Sequence, residues 1–276
     1  ILDSLKWLGM EPDEELLFQS RRVSIYKKYA ERLLDEAKAY YEQTEKGKAI
    51  RFKNLKGKII FYDIVKGKIE FNTGEFDDLV LIKSDGTPTY NFACVIDDIQ
   101  MHITHVIRGE EHLTNTARHI LIQRALGVES PEYAHLPLLL DKKRRKLSKR
   151  AGDVSLLDFK KKGFLPEAML NYLVLLGWNP KNDREFFSHA ELVKVFSLNG
   201  IQKGGAVFDE VKLNSINKHH LSLLSDERLS KWERAGLKNS VKNFDKKTRS
   251  EKKIWEAAMK TERGRISSYC DLEEII

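Results

Sequence analysis

Apolar side chains recur every three or four residues near the start of the chain and alternate with polar ones further along. After Ser20, a residue type favoured at helix N-caps, positions 23, 26, 29, 30, 33, 34, 37, 40 and 41 are all apolar or aromatic. Between Lys46 and Lys83 the pattern changes to short β-rich runs, AIRF, KIIFYDIV, KIEF and LVLIK. The pattern therefore predicts a long surface helix followed by a small insert built mainly of strands.

The next block alternates predicted strands and helices. HITHVIR is typical of a strand, GEEHLTNTARHILIQRALG of a turn and a helix that stops at Gly127, and HLPLLL of a fully buried strand. A strand, a helix and a strand in this order favour a parallel sheet, whose ligands lie beyond the carboxyl ends of the strands. A loop that follows HLPLLL is therefore expected to overhang a ligand crevice.

Helices are predicted for the remainder of the chain. Pro166 suits the first position of a helix that Gly177 ends, and Ser188 with Glu191 has the spacing of a capping box. From about Leu221 onward, charged segments such as SDERLSKWERAG indicate helices with solvated faces. The patterns together predict an α/β protein with a helical terminal part.

Composition adds charge to this picture without identifying a partner. The 48 Lys and Arg against 41 Asp and Glu give 276 residues a net charge of +7, which suits a polyanion but is common without one. Cys94 and Cys270 indicate no disulfide framework, and no apolar run is long enough to cross a bilayer. We expect a cytoplasmic protein, incomplete at both ends because the chain opens on ILDSLKWLGM without Met and stops abruptly at CDLEEII.

The most basic stretch of the chain is DKKRRKLSKRAGD, with seven positive charges between Lys142 and Arg150. An arbitrary basic run of this length is more often a solvated loop or a targeting patch than a binding site. Here, however, the run follows LPLLL, and Leu147 could anchor it while Lys146 and Lys149 face an anion. Cations aimed at departing phosphates stabilise the charge that develops on them.

KLSKR resembles the KMSKS signature of class I aminoacyl-tRNA synthetases, in the form typical of glutamyl-tRNA synthetases. The resemblance continues in family order through SDGTPTYNFACVIDDIQMHITHVIRGEEHLTNTARHILIQRALG, HLPLLL, GDVSLLDFKKKGFLPEAMLNYLVLLGW and VFDEVKLNSIN. It covers most of residues 1 to 221, so the chain is identified as similar to the bacterial-type glutamyl-tRNA synthetases. Their second signature, a HIGH-type motif, is expected upstream of Ile1.

This resemblance implies an α/β fold, with a class I synthetase Rossmann-type catalytic domain, an inserted α+β acceptor-binding domain and a mostly α-helical C-terminal region. The implied boundaries are 1–26 for the first part of the catalytic domain, 27–90 for the acceptor-end-binding insert, 91–145 for the second half of the catalytic domain, 146–220 for the KMSKS loop and stem-contact domain, and 221–276 for the start of the helical anticodon-binding domain.

The activity that the resemblance implies is that of a glutamate–tRNA ligase. Such an enzyme uses ATP to convert L-glutamate to glutamyl-adenylate and transfers glutamate to the 3′ end of tRNA(Glu), with Mg²⁺ bound to the ATP. We expect a monomer that binds no membrane. Two alternatives stay open: a non-catalytic tRNA-binding paralogue of the same fold, and a glutaminyl-tRNA synthetase.

Four residues match positions that act on ATP in this family. Lys146, Ser148 and Lys149 fall on the signature loop and are the candidate catalytic residues, with Lys149 expected nearest the departing pyrophosphate. Lys149, Lys146 and His112 are the candidate ATP-binding residues. As a histidine at the start of a helix, His112 is equally consistent with a purely structural role.

Three residues match the glutamate pocket of the family. Arg108 corresponds to an arginine that can hold a carboxylate with two parallel hydrogen bonds, and Tyr90 to a tyrosine that contacts the amino acid. Cys94 stands where some members have an asparagine, so its contact with substrate is in question. By local chemistry alone, Arg108 would be an ion-pair partner of Glu110 or Glu111, and Tyr90 would be a packing residue.

No protein-bound metal is predicted, although Asp97, Asp98, His102 and His105 are of ligand types. If HITHVIR is a strand, the two histidines point to opposite faces and cannot bind one ion. A zinc site is not supported, because the segment YEQTEKGK stands where some family members carry a zinc-binding cysteine cluster and contains no cysteine. His219–His220 is expected to cap or pack a helix.

Overall fold

This computed structural model describes residues 1–147, 155–241, 244–262, 264–269 and 271. Its helices are α1 (Leu2–Trp7), α2 (Val23–Asp35), α3 (Tyr90–Gln100), α4 (Leu113–Ala125), α5 (Leu156–Lys161), α6 (Pro166–Leu175), α7 (His189–Val195), α8 (Glu210–Ser222), α9 (Asp226–Ser240) and α10 (Arg249–Glu262). Its strands are β1 (Ala39–Thr44), β2 (Gly47–Phe52), β3 (Lys58–Asp63), β4 (Gly67–Asn72), β5 (Leu79–Ile82), β6 (His105–Gly109), β7 (Glu132–Leu136), β8 (Leu139–Leu140) and β9 (Ala206–Val207).

These elements form two compact units. One comprises Glu14–Leu138 with Ile201–Gly204, and the other comprises Ile1–Asp13, Leu139–Gly200 and Gly205–Ile276. The first, which we call the sheet unit, has a core that includes Tyr26, Leu81, Phe92 and Ile122. The second, the helical unit, has a core of its own that includes Met169, Tyr172 and Leu213. The five domain ranges given above are implied by the family resemblance and stay a prediction.

The predicted long helix is shorter than its apolar pattern suggested. Helix α2 ends at Asp35, where Ala37 takes a left-handed φ of 56°. The N–H of Lys38 bonds to the carbonyl of Leu33, and that of Ala37 to Leu34, which is a Schellman stop. Tyr40 and Tyr41 therefore lie in β1, and the prediction that they continue the helix was wrong. Because the stop uses Ala instead of Gly, no glycine marked it in the sequence.

The predicted strands of the middle segment are confirmed, but they divide between two sheets. Strands β1, β2 and β5 form an antiparallel three-stranded sheet. The other sheet has the order β4-β3-β7-β6, in which β6 and β7 are parallel as expected and β3 joins β7 at Asp63 and Tyr133. The sequence did not predict that the β3–β4 hairpin extends the parallel sheet.

Helix α4 joins β6 to β7 as predicted, and Gly127 ends it with a φ of 68°. Two strand predictions around it need correction. HLPLLL is not one strand, because Pro137, which has no N–H, separates β7 from β8. HITHVIR is a strand only from His105, while His102 has a φ of 53°. The prediction that His102 and His105 point to opposite faces of one strand was therefore wrong, because only His105 lies in the strand.

Helix signals in the helical unit are confirmed. Pro166 opens α6, and Ser188 with Glu191 forms the capping box of α7. The predicted packing of the histidine pair is confirmed as well: His220 Nε2 lies 3.1 Å from Asn171 Oδ1, and the His219 ring stacks on Phe186 at 3.9 Å.

Candidate functional site

The sheet unit brings together three of the residues predicted to bind substrates. Tyr90 is the first residue of α3, Arg108 lies on β6, and His112 ends a short 3-10 turn that leads into α4. The Tyr90 ring lies 6.2 Å from the His112 ring, and it remains 53% exposed. Cys94 is one helical turn from Tyr90 on the same face of α3. With Thr116 and His135, described next, these residues form what we call the Arg108 cluster.

Arg108 is held in a fixed orientation by neutral groups. Its Nη2 donates to Thr116 Oγ1 at 2.7 Å and lies 3.5 Å from the carbonyl of His112, while its Nε lies 3.4 Å from His135 Nε2. The guanidinium also lies over the Tyr133 ring, 5.9 Å from its centroid. Glu110 pairs with Lys66 instead of Arg108. The surface ion pair that local chemistry suggested for Arg108 with Glu110 is therefore not formed.

Behind Arg108 lies a buried ionisable pair that the sequence did not reveal. His135 Nδ1 donates to Asp63 Oδ2 at 2.6 Å, and both side chains are fully buried. Burial alone would raise the pKa of Asp63, but hydrogen bonds from the backbone of Lys66, from His135 and from Val65 outweigh it and lower the pKa. Burial lowers the pKa of His135 despite the attraction of Asp63. At neutral pH the pair is therefore a carboxylate and a neutral imidazole.

A second histidine that the sequence did not reveal, His119, lies on α4 and faces Tyr90. The His119 side chain is buried and lies 3.1 Å from Asn91 Oδ1, and its ring is 6.4 Å from that of Tyr90. Burial, with a smaller contribution from the nearby positive charge of Arg108, lowers the pKa of His119 to about 3. A neutral imidazole beneath Tyr90 leaves Arg108 as the positive charge of the cluster. The sequence held one signal for His119. It lies seven residues, or two helical turns, after His112, so a helix that begins at His112 places both on the same face.

Cys94 is chemically quiet in this position. Burial, with a smaller contribution from the Asp98 carboxyl, raises the pKa of its thiol to about 11. The Sγ lies 3.9 Å from Asp98 Oδ2, and burial raises the pKa of that carboxyl too, against the attraction of Arg108. A protonated thiol is neither a nucleophile nor an anion at neutral pH. Cys94 can therefore line a pocket, but the chemistry here gives it no catalytic role.

The basic run belongs to the helical unit, and the structure describes its first part. Residues 141–147, which we call the 141–147 turn, form a hairpin in which Leu147 N–H donates to the carbonyl of Leu139 and Asp141 N–H to that of Arg145. Asp141 Oδ1 accepts the N–H groups of Lys143 and Arg145 at 2.8 Å each. Leu147 is half-buried, as an anchor should be, and Lys146 is exposed. The predicted residues Ser148 and Lys149 lie outside the described residues.

Residues 141–145 combine mostly exposed side chains with a hydrogen-bonded backbone. Their side chains are solvated, but the backbone closes around the Asp141 carboxylate, and Arg144 takes a left-handed φ of 59°. Hydrogen bonds that the backbone N–H and the side chain of Arg145 donate to the Asp141 carboxylate lower its pKa. The turn delivers the chain to Lys146 in a defined direction.

Neither the cavity nor the metal-ligand types among the described residues offer a better candidate substrate site than the Arg108 cluster. A cavity of about 370 Å³ in the sheet unit is lined by Phe52, Leu121 and several lysines, but not by the predicted residues. Two of those lysines are engaged at helix ends, Lys38 with the carbonyl of Ala125 and Lys53 with that of Ala37. Among the described residues, no group of three or more His, Cys, Asp or Glu could hold a metal ion. Within the same residues, no helix is both long and apolar enough for a membrane span.

Comparison with known proteins gives a family for this arrangement. The model of the catalytic domain of class I tRNA synthetases (E and Q) matches residues 1–49 and 41–215. A glutamate–tRNA ligase of Clostridioides difficile is 39% identical over 277 residues, covering 80% of this chain and 56% of that protein. Glutamate–tRNA ligase 2 of Thermoanaerobacter pseudethanolicus is 42% identical over 284 residues, covering 88% of this chain and 59% of that protein. The chain thus spans less than three fifths of the length of these curated relatives.

Solved structures agree with the family match. The glutamate tRNA ligase of Elizabethkingia meningosepticum, in complex with its amino acid, superposes with a TM-score of 0.80 at 31% identity, covering 99% of this chain and 67% of that one. The glutamate–tRNA synthetase of Elizabethkingia anophelis gives 0.81 at 31% identity, with 99% and 68% covered. The predicted class I synthetase fold of the Rossmann type is confirmed. The chain belongs to the class I tRNA synthetases of the E and Q group.

Proposed function

We propose that the chain is the catalytic portion of a glutamate–tRNA ligase. Its substrates would be L-glutamate, ATP and tRNA(Glu), and its product glutamate esterified to the 3′ end of that tRNA. The curated relatives at 39% and 42% identity, both glutamate–tRNA ligases, support this choice within the E and Q family. A monomer in the cytoplasm stays our expectation for the whole protein.

The observation that most favours glutamate is the state of Arg108. Its hydrogen-bond partners in the described part of the chain are Thr116, His135 and the carbonyl of His112, all of them neutral acceptors. A guanidinium held by neutral groups keeps its charge for a ligand, and its planar fork matches a carboxylate. Tyr90, exposed beside it, can close one side of the ligand, and Cys94 can line the wall. A carboxylate gains more from such a site than the amide of glutamine does.

The first step of the proposed reaction forms glutamyl-adenylate. An oxygen of the glutamate α-carboxylate attacks the α-phosphorus of ATP, and the bond to the bridging oxygen breaks, so that pyrophosphate leaves with the electron pair. No proton needs to move, because the nucleophile is already ionised. Mg²⁺ would enter bound to the ATP phosphates and neutralise part of their charge. The protein's task is to orient the two substrates and stabilise the negative charge on the leaving group.

We assign that stabilisation to the basic signature. Lys149 and Lys146 would face the phosphates, and Ser148 would donate a hydrogen bond to them. The 141–147 turn supports the assignment, because its hydrogen bonds set the direction in which the chain leaves Lys146. His112 is the further candidate for a contact with ATP, because it matches a position near the ATP in the family. In the second step a ribose hydroxyl of the tRNA attacks the adenylate carbonyl, loses its proton, and releases AMP.

Aminoacylation by the full gene product tests this proposal. The assay measures transfer of labelled glutamate to purified tRNA(Glu) in the presence of ATP and Mg²⁺, with glutamine as the competing amino acid. We expect glutamate to be esterified and glutamine to be rejected. Esterification of glutamine would make the protein a glutaminyl-tRNA synthetase. Binding of tRNA without transfer of either amino acid would favour a non-catalytic paralogue.

A further inference from the structure

Four side chains form a continuous hydrogen-bonded series in the sheet unit, which we call the Asp63 relay. Asp63 Oδ2 lies 2.6 Å from His135 Nδ1, His135 Nε2 lies 2.9 Å from Thr116 Oγ1, and Thr116 Oγ1 lies 2.7 Å from Arg108 Nη2. Asp63 is 3% exposed, and His135 and Thr116 are 0% exposed. The residues come from β3, β7, α4 and β6, so no local segment accounts for the series.

The hydrogens of the relay can run in only one direction. Arg108 has donors and no acceptor, so Thr116 Oγ1 must accept from it. Asp63 accepts from the N–H groups of Val65, Lys66 and His135, which favours the ionised form, and so His135 Nδ1 carries the hydrogen that is donated to Asp63. In a neutral imidazole Nε2 is then a lone pair. That lone pair faces two donors, the Thr116 hydroxyl at 2.9 Å and Arg108 Nε at 3.4 Å, and the nearer hydroxyl takes it. The carbonyl of His112, at 3.2 Å, is the second acceptor within reach of the same hydroxyl.

This direction fixes Arg108 without neutralising it. A carboxylate in direct contact would orient the guanidinium but would also occupy its charge. In the relay the full negative charge of Asp63 is separated from Arg108 by a neutral imidazole and a hydroxyl. Nη2 and Nε face the relay, and none of the hydrogen bonds to Thr116, His112 and His135 uses the two N–H groups on Nη1. The Tyr90 hydroxyl is the nearby group on the ligand side, since Arg108 offsets part of the rise that burial causes in the pKa of Tyr90.

We propose that Asp63, His135 and Thr116 are positioning residues that orient Arg108 so that the N–H groups on its Nη1 meet a carboxylate of the amino-acid substrate. This inference rests on the proposed glutamate-dependent activity and adds three residues to it. A chain of buried partners lowers the orientational freedom that Arg108 would otherwise lose on binding. Its loss should therefore weaken the affinity for glutamate far more than the rate of the chemical step.

The test replaces the hydroxyl of Thr116 in the full gene product and follows ATP–pyrophosphate exchange with tRNA present. Thr116→Val should raise the KM for glutamate about tenfold, the factor for one hydrogen bond to a charged group, and leave kcat and the KM for ATP within about twofold. Thr116→Ser, which restores the hydroxyl, should return the KM for glutamate to within about threefold of the wild type. The matched control is Thr73→Val, since Thr73 is another buried threonine, whose hydroxyl donates to the carbonyl of Leu55 at 2.7 Å.

Three results distinguish a failure of the Asp63 relay from a failure of the proposed glutamate-dependent activity. Equal glutamate KM values for Thr116→Val and Thr73→Val would overturn the relay while leaving the proposed function intact. Absence of glutamate-dependent exchange in the wild type would overturn both. If Thr116→Val does not fold, nitrogen NMR of the wild-type imidazoles decides: His135 should carry its hydrogen on Nδ1 at neutral pH, and a hydrogen on Nε2 would overturn the relay.

Discussion

The Arg108 cluster and the 141–147 turn both present positive charge, but they are built in opposite ways. Arg108 is held by Thr116 and His135, and the relay behind it reaches β3, far away in the sequence. The 141–147 turn is held by one carboxylate, that of Asp141, which binds groups two and four residues along the chain. The first is half-buried, rests on a buried relay and is built from distant segments, whereas the second is solvated and local.

This difference matches the ligands that we assign to each region. A single carboxylate is recognised by the direction of a planar guanidinium, which needs a rigid support. Phosphates carry several charges and are stabilised by lysines, which act as point charges on flexible stems. We therefore expect substitutions in the Arg108 cluster to be costly and specific, and those at residues 141–145 of the turn, before the signature, to be mild.

The largest effect should come from Arg108 itself. Arg108→Ala should lower kcat/KM for glutamate in pyrophosphate exchange about a thousandfold, because removing a charged hydrogen-bonding partner costs about 4 kcal/mol. Arg118→Ala is the matched control, since both arginines lie over aromatic rings, Arg118 at 5.5 Å from the Phe76 centroid. Steady-state exchange at varied glutamate concentration measures both. Similar losses in the two variants would remove Arg108 from the site.

Lys149 should give the next largest effect. Lys149→Ala should slow adenylate formation about a hundredfold by removing a cation from the leaving phosphates, with tRNA affinity changed no more than about threefold. Lys142→Ala, within the same basic run but before the signature, should leave exchange within about twofold. Single-turnover exchange and filter binding measure the two properties. Equal losses of exchange and tRNA affinity would make the run a tRNA-binding surface.

Lowering the pH should reduce the free energy of unfolding over different pH ranges for His119, beside the Arg108 cluster, and for Asp141 in the 141–147 turn. The folded pKa of His119 is about 3, below the ordinary 6.5, so the unfolded chain takes up the proton first as the pH falls. Folding stability from this group is complete above pH 6.5 and declines toward pH 3, by up to about 1.4 kcal/mol per pH unit. The pKa of Asp141 is instead lowered from its ordinary 3.8, so its turn should respond only at lower pH.

Urea unfolding of the wild type and of His119→Gln at pH 7 and pH 5.5 measures this difference. The glutamine can still donate to Asn91 but binds no proton, so the variant should lose less stability between the two pH values. His135 and His220, whose pKa values are also lowered by burial, keep the remaining pH dependence in both proteins. Identical losses in the two proteins would show that His119 is not buried as a neutral base.

The smallest effect should come from Asp141. Asp141→Ala removes the acceptor for Lys143, Arg145 and the Arg145 side chain, and should lower exchange about threefold by loosening the approach to the signature. Asp141→Asn keeps an acceptor for the backbone groups and should stay within about twofold of the wild type. A loss as large as that of Lys149→Ala would mean that the turn is part of the chemical site.

Sequence reasoning succeeded where a local signal existed. Gly127 marked the end of α4, Pro166 the start of α6, and KLSKR the class of protein. It failed at Ala37, which ends α2 in the same type of stop as Gly127 but without a glycine. Tyr90 and Arg108 were predicted from family position, and the structure brings them into one cluster.

The relay behind Arg108 could not be predicted from local patterns. Asp63 and His135 are 72 residues apart and meet because β3 joins β7, a pairing that strand periodicity alone does not determine. Within its strand, Asp63 interrupts an apolar run, and such a buried polar residue is the signal that could have marked it. Its partner depends on tertiary structure, since a buried carboxylate must be paired wherever the fold permits.

We propose that Arg108, held in place without an ion pair in the described part of the chain, selects glutamate over glutamine by binding the side-chain carboxylate. Pyrophosphate exchange by the full gene product, with tRNA(Glu) present and with glutamate or glutamine in turn, tests this most directly. The account predicts exchange that depends on glutamate and is at least about a hundredfold weaker with glutamine, a difference of about 3 kcal/mol. Equal exchange with the two amino acids, or none with glutamate, would contradict it.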